Sequence, residues 1–153
     1  TDHGGPVPVL FTAHSVPLRT ITEGDPYERQ TRETAAQVAA QVPEIGGWSF
    51  AFQSQGMSGG EWLGPTVEDT ITGMSEAGQQ AVFVQPIGFV CDHVEVLFDV
   101  DILFRDLAAQ RGMKLYRAES LNVSPTFTRA VADLARKRLM APCEARIAAE
   151  KMK

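Results

Sequence analysis

The sequence contains few cysteines and no excess of positive charge. Its two cysteines, Cys91 and Cys143, are too few for a disulfide framework and form no zinc-type pair, so we interpret both as ordinary thiols of a reducing compartment. The 14 Lys and Arg residues against 19 Asp and Glu residues leave a net charge of −5. Nucleic-acid phosphates and anionic membrane surfaces both call for clusters of basic residues, so neither is an expected partner.

Long apolar runs are also missing. No run approaches the ~18 residues of a membrane-spanning helix, and the N-terminus has no signal-peptide pattern, so we expect no membrane segment and a cytoplasmic location. The first residue is Thr1, and residues 1–6, TDHGGP, are interpreted as a linker or a cut end. We expect one α/β domain over residues 7–140 and a C-terminal tail over residues 141–153.

Four apolar segments alternate with four helical patterns along the chain. The predicted strands are 8–13, 48–53, 81–85 and 114–117. The predicted helices are 25–41, which opens with the capping sequence Asp25-Pro26-x-Glu28, 66–78, 92–111 and 124–139. This alternation, with several strands apolar throughout, predicts a doubly wound parallel α/β sheet of about four strands with helices on both faces.

Chemically distinctive residues follow the predicted strands. His14 leaves the first strand, Ser54 and a glycine-rich loop follow the second, residues 86–89 follow the third, and Asn122 follows the fourth. Ligands of open parallel sheets bind at the carboxyl ends of the strands. We therefore expect a single site on this rim.

A second group of candidates lies in DHVEVLFDVD, residues 92–101. In an α-helix, Asp92, Glu95 and Asp99 have the spacing i, i+3, i+7 and share one face, forming an acidic path across the rim from His14. Imidazole and carboxylate ligands suit iron, cobalt, nickel or zinc, and the same carboxylates also serve as proton acceptors. The residues predicted to turn toward a core are Val94, Leu97, Val100 and Phe104.

Structural alternatives exist for each of these residues. Asp92 and Glu95 also fit an N-terminal capping box, and His14 also fits a histidine bonded to a turn backbone. The structural alternative for Met57 and Trp62, in the glycine-rich loop, is that their side chains only fill the edge of the sheet. His93 fits either a surface residue or a second imidazole near the metal, and its helix position relative to Asp92 favours the surface.

Six segments, taken in order, resemble the C-terminal half of ferrochelatase, the enzyme that inserts ferrous iron into a porphyrin. The segments are AHSVP (13–17), GDPY (24–27), QS (53–54), WLGPTVEDTI (62–71), PIGFVCDHVEVLFDVD (86–101) and AESLN (118–122). The family fold is a pair of Rossmann-like domains with the porphyrin cleft between them, which agrees with the predicted sheet. The six segments lie between residues 13 and 122, so the resemblance covers most of the chain.

The resemblance implies roles for particular residues. His14 corresponds to the active-site imidazole, Glu95 to the glutamate that faces it, and Asp99 takes the place of a further glutamate. Together they are the expected metal-facing residues, with Fe²⁺ as the substrate. The residues expected to contact the porphyrin, protoporphyrin IX or coproporphyrin III, are Ser54, Met57, Trp62 and Asn122.

The resemblance also implies a partner and leaves rival functions open. Only one half of a ferrochelatase is represented, so the N-terminal half or a second copy of this chain is expected to complete the cleft. No iron–sulfur cluster is expected, because Cys143 is the only cysteine of the tail. The alternatives are a short homodimeric sirohydrochlorin chelatase for cobalt or nickel, a non-catalytic tetrapyrrole- or metal-binding module, and a purely structural α/β domain.

Overall fold

A computed structural model of the protein describes residues 6–45, 47–56 and 59–140. The chain divides into two compact units, Thr1–Ser120 and Leu121–Lys153. Met57 and Cys143 lie outside the described residues, as do most of the predicted linker and the whole predicted tail. The predicted domain boundaries at residues 7 and 140 stay predictions.

The first unit contains a four-stranded parallel sheet. Its strands are β1 (Val9–His14), β2 (Trp48–Gln53), β3 (Ala81–Pro86) and β4 (Lys114–Arg117). They are arranged in the order β2-β1-β3-β4, with every neighbouring pair parallel. The predicted parallel sheet is confirmed, and β1 ends one residue later than predicted, so His14 is the last residue of the strand.

Helices of the first unit cover both faces of the sheet. They are α1 (Leu18–Thr22), α2 (Tyr27–Ala39), α3 (Val67–Glu76) and a π-helix called π1 (Glu95–Phe104), which continues as α4 (Arg105–Gln110). The second unit contributes α5 (Pro125–Met140). One core cluster joins Leu10 of β1 to Ile71 of α3 and Val100 of π1. The opposite cluster joins Phe11 of β1 to Ala35 of α2. Successive residues of β1 therefore serve opposite cores, as the period of a strand requires.

Two predicted helix starts have different outcomes. Thr66 caps α3, since its hydroxyl accepts a hydrogen bond of 3.0 Å from the Asp69 N–H. At α2 the Asp25 carboxylate accepts from the Tyr27 N–H at 2.8 Å. Glu28 does not close the predicted capping box, because its carboxylate pairs with Arg32 at 3.0 Å.

The predicted α-helix from Asp92 is wrong in its start and in its periodicity. Glu95 is the first residue of π1, whose i→i+5 bonding widens each turn, so that residues four apart remain close to one face. The buried residues of π1 are Val96, Val100 and Phe104, each four positions from the next. Val94 and Leu97, predicted to face a core, are exposed instead, with 72% and 48% of their surface accessible.

The second unit contains α5. No residue of this helix is buried, and Asn122, which precedes it, has a positive φ of 44°. No helix in the described part of the chain is long and apolar enough to cross a membrane.

Candidate active site

The site lies where the winding of the sheet changes direction. β1 is central, with β2 on one side and β3 on the other, and the connections that follow β1 and β3 pack their helices on opposite faces. Such a switch point leaves a crevice at the carboxyl ends of the two strands, which is where open α/β sheets bind ligands. His14 ends β1 at this point.

His14 and Glu95 form the central pair of the site. The His14 Nε2 atom lies 3.2 Å from Glu95 Oε1, and each side chain is about one-third accessible, at 35% and 34%. The other ring nitrogen, Nδ1, hydrogen-bonds the main-chain oxygen of Ser15. Because a carbonyl oxygen only accepts, Nδ1 carries a proton and donates it.

This tautomer determines what the pair can bind. In the neutral imidazole, Nε2 then presents a lone pair to a carboxylate oxygen that is also an acceptor. Two facing acceptors at 3.2 Å are held together by a proton or a cation between them. The pair is therefore able to take up one proton or to contribute one nitrogen and one oxygen ligand to a divalent metal.

Several contacts hold His14 in place. The Tyr27 hydroxyl donates to the His14 main-chain oxygen at 2.8 Å, which ties the start of α2 to the end of β1. Gly88 packs against the same strand end, where a Cβ atom would lie 3.2 Å from the Ala13 Cβ atom. The Phe89 ring meets the His14 ring edge-on, with 6.4 Å between centroids. The position of the imidazole is therefore determined by α2 and by the loop after β3.

Phe89 also contacts a second histidine. The His93 ring packs edge-on against Phe89, with 4.4 Å between the ring centroids, and His93 is half-buried. The prediction that His93 belongs to the surface is therefore only partly correct.

A buried polar chain supports Glu95. Thr12 donates from its hydroxyl to Gln53 Oε1 at 2.8 Å, and Gln53 Nε2 donates to the Glu95 main-chain oxygen at 3.0 Å. Thr12 and Gln53 are both almost inaccessible to solvent. Within the described residues no buried side-chain polar atom lacks a hydrogen-bond partner, so this polar core is fully satisfied.

Asp99 occupies the same face of π1 as Glu95, four residues further on. Its carboxylate accepts a hydrogen bond from the Ser54 hydroxyl, and Ser54 reaches it from a left-handed backbone conformation with φ 61°. An open cavity of about 500 Å³ adjoins this contact. It is lined by Phe52, Ser54, Gln55, Thr66, Glu68, Asp69, Asp99, Leu103 and Phe104.

Asp92, the third carboxylate of the predicted acidic path, lies beside a cation. Asp92 precedes π1, and its carboxylate lies 3.8 Å from the guanidinium of Arg117. Val94 is the N-cap residue of π1 and provides no side-chain cap, so Asp92 does not occupy the cap position that the alternative capping box requires. Among the residues described, no three His, Cys, Asp or Glu side chains are grouped closely enough to hold a metal ion by themselves.

The other residues predicted to contact the porphyrin lie in different parts of the chain, and the structure does not describe all of them. Trp62 is half-buried, pairs through its backbone with Pro17, and its indole lies against Gly56. Met57 is outside the described residues, and Asn122 belongs to the second unit. Sequence reasoning assigned no roles to Tyr27, Gln53 or Arg117, although a glutamine ending an otherwise apolar strand was a signal for Gln53.

The fold places the chain in a class shared with solved structures. The crystal structure of a putative cobalamin (vitamin B12) biosynthesis CbiX protein from Marinobacter aquaeolei aligns with a TM-score of 0.55 over 88% of this chain and 98% of that one. The two sequences are 20% identical, so the likeness is one of fold. The chain therefore shares the parallel α/β fold of that protein.

The sequence comparisons then show the family. The family model described as Ferrochelatase matches residues 1–139, and the chain belongs to the ferrochelatase family. It is 53% identical to a ferrochelatase of Acidobacterium capsulatum over 89% of this chain and 46% of the relative. It is 45% identical to that of Deinococcus radiodurans, over 82% of this chain and 40% of the relative. The mitochondrial ferrochelatase of Homo sapiens is 36% identical, over 84% and 30%.

The resemblance inferred from the six segments is thereby confirmed. The chain spans less than half the length of these curated relatives. Whatever the remainder of their length supplies is not represented in this chain.

Proposed function

We propose that this chain is the metal-facing half of a ferrochelatase, a lyase that inserts Fe²⁺ into a porphyrin in heme biosynthesis. The observation that carries the proposal is the pairing of His14 Nε2 with Glu95 Oε1 at 3.2 Å, at the switch point of the sheet. The family membership of the chain supports the same reaction. The exposed free thiol of Cys91 suits the reducing cytoplasm.

The reaction requires proton acceptors that also tolerate a cation. A porphyrin free base loses two pyrrole N–H protons as Fe²⁺ enters its four nitrogens, so two protons leave for each metal bound. The His14–Glu95 pair takes the first of them, since its two acceptor atoms face one another with room for one proton. The same nitrogen and oxygen are ligands that Fe²⁺ accepts during its transfer.

Asp99 lies on the same acidic face as Glu95, and its proposed role is to pass on the second proton or the entering cation. It lies four residues from Glu95 on π1 and is held by the Ser54 hydroxyl beside an open cavity of about 500 Å³. We propose that a hydrated cation approaches, or a proton leaves, along Glu95 and Asp99. Asp92 is left out of this path because Arg117 faces its carboxylate.

The porphyrin is proposed to lie over the switch point, against an apolar wall. Trp62 is half-buried beside the loop that follows β2, and it can offer part of its indole to a planar ring. Ser54, Met57 and Asn122 are proposed as further contacts. The macrocycle is protoporphyrin IX or coproporphyrin III.

A partner is proposed to form the opposite wall of the cleft. The chain spans less than half the length of its curated relatives, so the N-terminal half of the same enzyme is the first candidate and a second copy of this chain is the other. A second copy would make the protein resemble a short homodimeric chelatase. Co²⁺ with sirohydrochlorin is therefore a necessary comparison substrate in any assay.

The deciding experiment is anaerobic metal insertion followed by porphyrin absorbance. The wild-type chain, His14→Ala and Glu95→Gln are each assayed with Fe²⁺ and protoporphyrin IX or coproporphyrin III. Glu23→Gln is the matched control, because Glu23 is an exposed carboxylate paired only with Arg19 among the contacts of α1. Turnover by wild type and Glu23→Gln, abolished in the two site variants, supports the proposal and a cleft closed by self-association.

Calorimetric titration with Fe²⁺ under the same conditions covers the case in which the chain alone does not turn over. Binding that is lost in His14→Ala and Glu95→Gln but kept in Glu23→Gln supports a metal-facing half that needs the other half. Fe²⁺ binding unaffected by either site variant, or turnover with Co²⁺ and sirohydrochlorin only, overturns the proposal.

A further inference from the structure

Arg117 is held by several side-chain and main-chain contacts. It ends β4, and only 12% of its side chain is accessible. Its Nε and Nη2 atoms donate to the two carboxylate oxygens of Asp101, both at 2.8 Å, a bidentate arrangement. Its Nη1 atom donates to the Ala118 main-chain oxygen at 2.8 Å and lies 3.8 Å from the Asp92 carboxylate.

These partners flank the metal-facing residues along the chain. Asp92 lies three residues before Glu95, and Asp101 lies six residues after it. One guanidinium therefore fastens both sides of the segment that carries Glu95 to the carboxyl end of β4. A rigid fork with five donors can satisfy such a set, whereas a lysine ammonium cannot reach two carboxylates and a carbonyl in fixed geometry.

The charge of Glu119 also acts on Arg117, besides those of Asp101 and Asp92. Asp101 also receives a weaker contact from Arg105, at 3.5 Å and on a more exposed side chain. The Glu95 carboxylate pairs with His14 rather than with this guanidinium. Removing Arg117 would leave the half-buried Asp101 carboxylate without its bidentate partner and the more exposed Asp92 carboxylate without this neighbouring cation, so we expect the segment that carries Glu95 to shift.

We propose that Arg117 is a positioning residue, which holds the Glu95 carboxylate within reach of His14 by clamping both flanks of that segment to β4. Its relevance to metal insertion rests on the function proposed above. The effect of the clamp on the geometry of the His14–Glu95 pair can be measured without turnover.

Imidazole NMR of the 153-residue chain tests the clamp directly. The ¹⁵N resonances of His14 are recorded at one pH in wild type, in Glu95→Ala as the reference for a broken pair, and in Arg117→Gln. We expect Arg117→Gln to shift the His14 Nε2 resonance most of the way to its Glu95→Ala position, and Arg117→Lys about half as far. Arg105→Gln, which removes only the weaker partner of Asp101, is expected to leave the resonance unchanged.

A stability control separates positioning from general loosening. Ile71→Val removes one methyl group from a fully buried residue of α3 and lowers the urea midpoint without touching π1's polar contacts. It is expected to leave the His14 resonances unchanged. If Arg117→Gln lowers the urea midpoint but keeps the wild-type His14 resonances, the positioning role is overturned and Arg117 is structural only.

Fe²⁺ titration tests whether the clamp also affects metal binding. We expect the affinity of Arg117→Gln for Fe²⁺ to fall about tenfold while Arg105→Gln and Ile71→Val keep the wild-type value. If the wild-type chain fails to bind Fe²⁺ but the NMR shifts are as expected, the clamp stands and the proposed function fails. If wild type binds Fe²⁺ and Arg117→Gln binds it equally well, the clamp is dispensable and the inference is overturned.

Discussion

Gln53 and Glu95 are joined by a hydrogen bond between β2 and the first turn of π1. The Gln53 amide nitrogen lies 3.0 Å from the Glu95 main-chain oxygen, while the Gln53 amide oxygen accepts the Thr12 hydroxyl at 2.8 Å. Gln53 is 1% accessible, so water does not replace these bonds. Glu95 is thus attached through its backbone to the centre of the sheet.

Replacing Gln53 by methionine tests this attachment. Methionine keeps most of the volume but removes both hydrogen bonds and leaves the Thr12 hydroxyl buried without its acceptor. We expect the free energy of unfolding to fall by about 1–3 kcal/mol, measured by urea denaturation. The exposed Gln37→Met on α2 serves as the control and should change the free energy by less than about 0.5 kcal/mol. Equal effects of the two substitutions would contradict the role assigned to Gln53.

Gly88 and Gly73 are expected to respond oppositely to alanine. At Gly88 a Cβ atom would lie 3.2 Å from the Ala13 Cβ and 3.3 Å from its Cα, against a central strand bonded on both sides. Since that backbone cannot yield, Gly88→Ala is expected to destabilise by about 1–3 kcal/mol and to displace His14.

Gly73 is an exposed residue of α3, where an added Cβ atom would have nothing within 4 Å. Gly73→Ala is expected to stabilise by about 0.5–1 kcal/mol, because alanine loses less backbone entropy in a helix. Thermal melts and His14 imidazole NMR distinguish the two variants. A stable Gly88→Ala with unshifted His14 resonances would show that the loop after β3 does not position the imidazole.

Acid should weaken the contact between Asp101 and Arg117. The hydrogen bond from Arg117 lowers the pKa of Asp101 from its ordinary value of 3.8. The pair therefore stabilises the fold at pH values above 3.8, and that stabilisation disappears as the pH falls through the lower folded-state pKa. We expect the urea midpoint of wild type to fall in this acid range more steeply than that of Asp101→Asn.

The matched control for the acid series is Asp106→Asn, at an exposed position of α4. It should keep the steep wild-type dependence. An Asp101→Asn profile that parallels wild type between about pH 5 and pH 2 would mean that the pair contributes nothing to the pH dependence of stability.

Tyr27→Phe removes the hydroxyl that ties α2 to β1. The Tyr27 hydroxyl donates to the His14 main-chain oxygen at 2.8 Å, and burial raises the pKa of this phenol above 10.0, so it remains a donor at neutral pH. We expect a loss of about 0.5–1.5 kcal/mol in the free energy of unfolding and a small shift of the His14 resonances. A variant with unchanged stability and unchanged resonances would exclude this bond as a support of the site.

Local sequence was sufficient for the strands and for several helix ends. Trp48–Gln53 and Lys114–Arg117 lie where predicted, because apolar runs bounded by turn residues have little freedom in a parallel sheet. The cap at Thr66 was predicted correctly because a cap is an interaction between residues three apart. Parallel pairing and the rim at the strand ends followed from the alternation alone.

Local sequence patterns did not predict the helical periodicity of the segment after residue 92. A helical pattern of 3.6 residues per turn predicted one face for Asp92, Glu95 and Asp99, but tertiary packing selects a π-helix in which Val96, Val100 and Phe104 are buried at intervals of four. Arg117, which is remote in sequence, lies 3.8 Å from the carboxylate of Asp92 just before this helix. No window of local sequence contains that contact.

The sequence by itself determined the order of strands and helices, the residue types available at the rim, and the family through its six ordered segments. Only the tertiary structure decided which of those residues meet: His14 with Glu95, Ser54 with Asp99, and Arg117 with Asp101. Local patterns depend on neighbours a few residues apart, which the chain geometry constrains directly. Contacts across 16 to 81 residues depend on how the sheet is wound and how each helix turns its faces, and these are properties of the folded core as a whole.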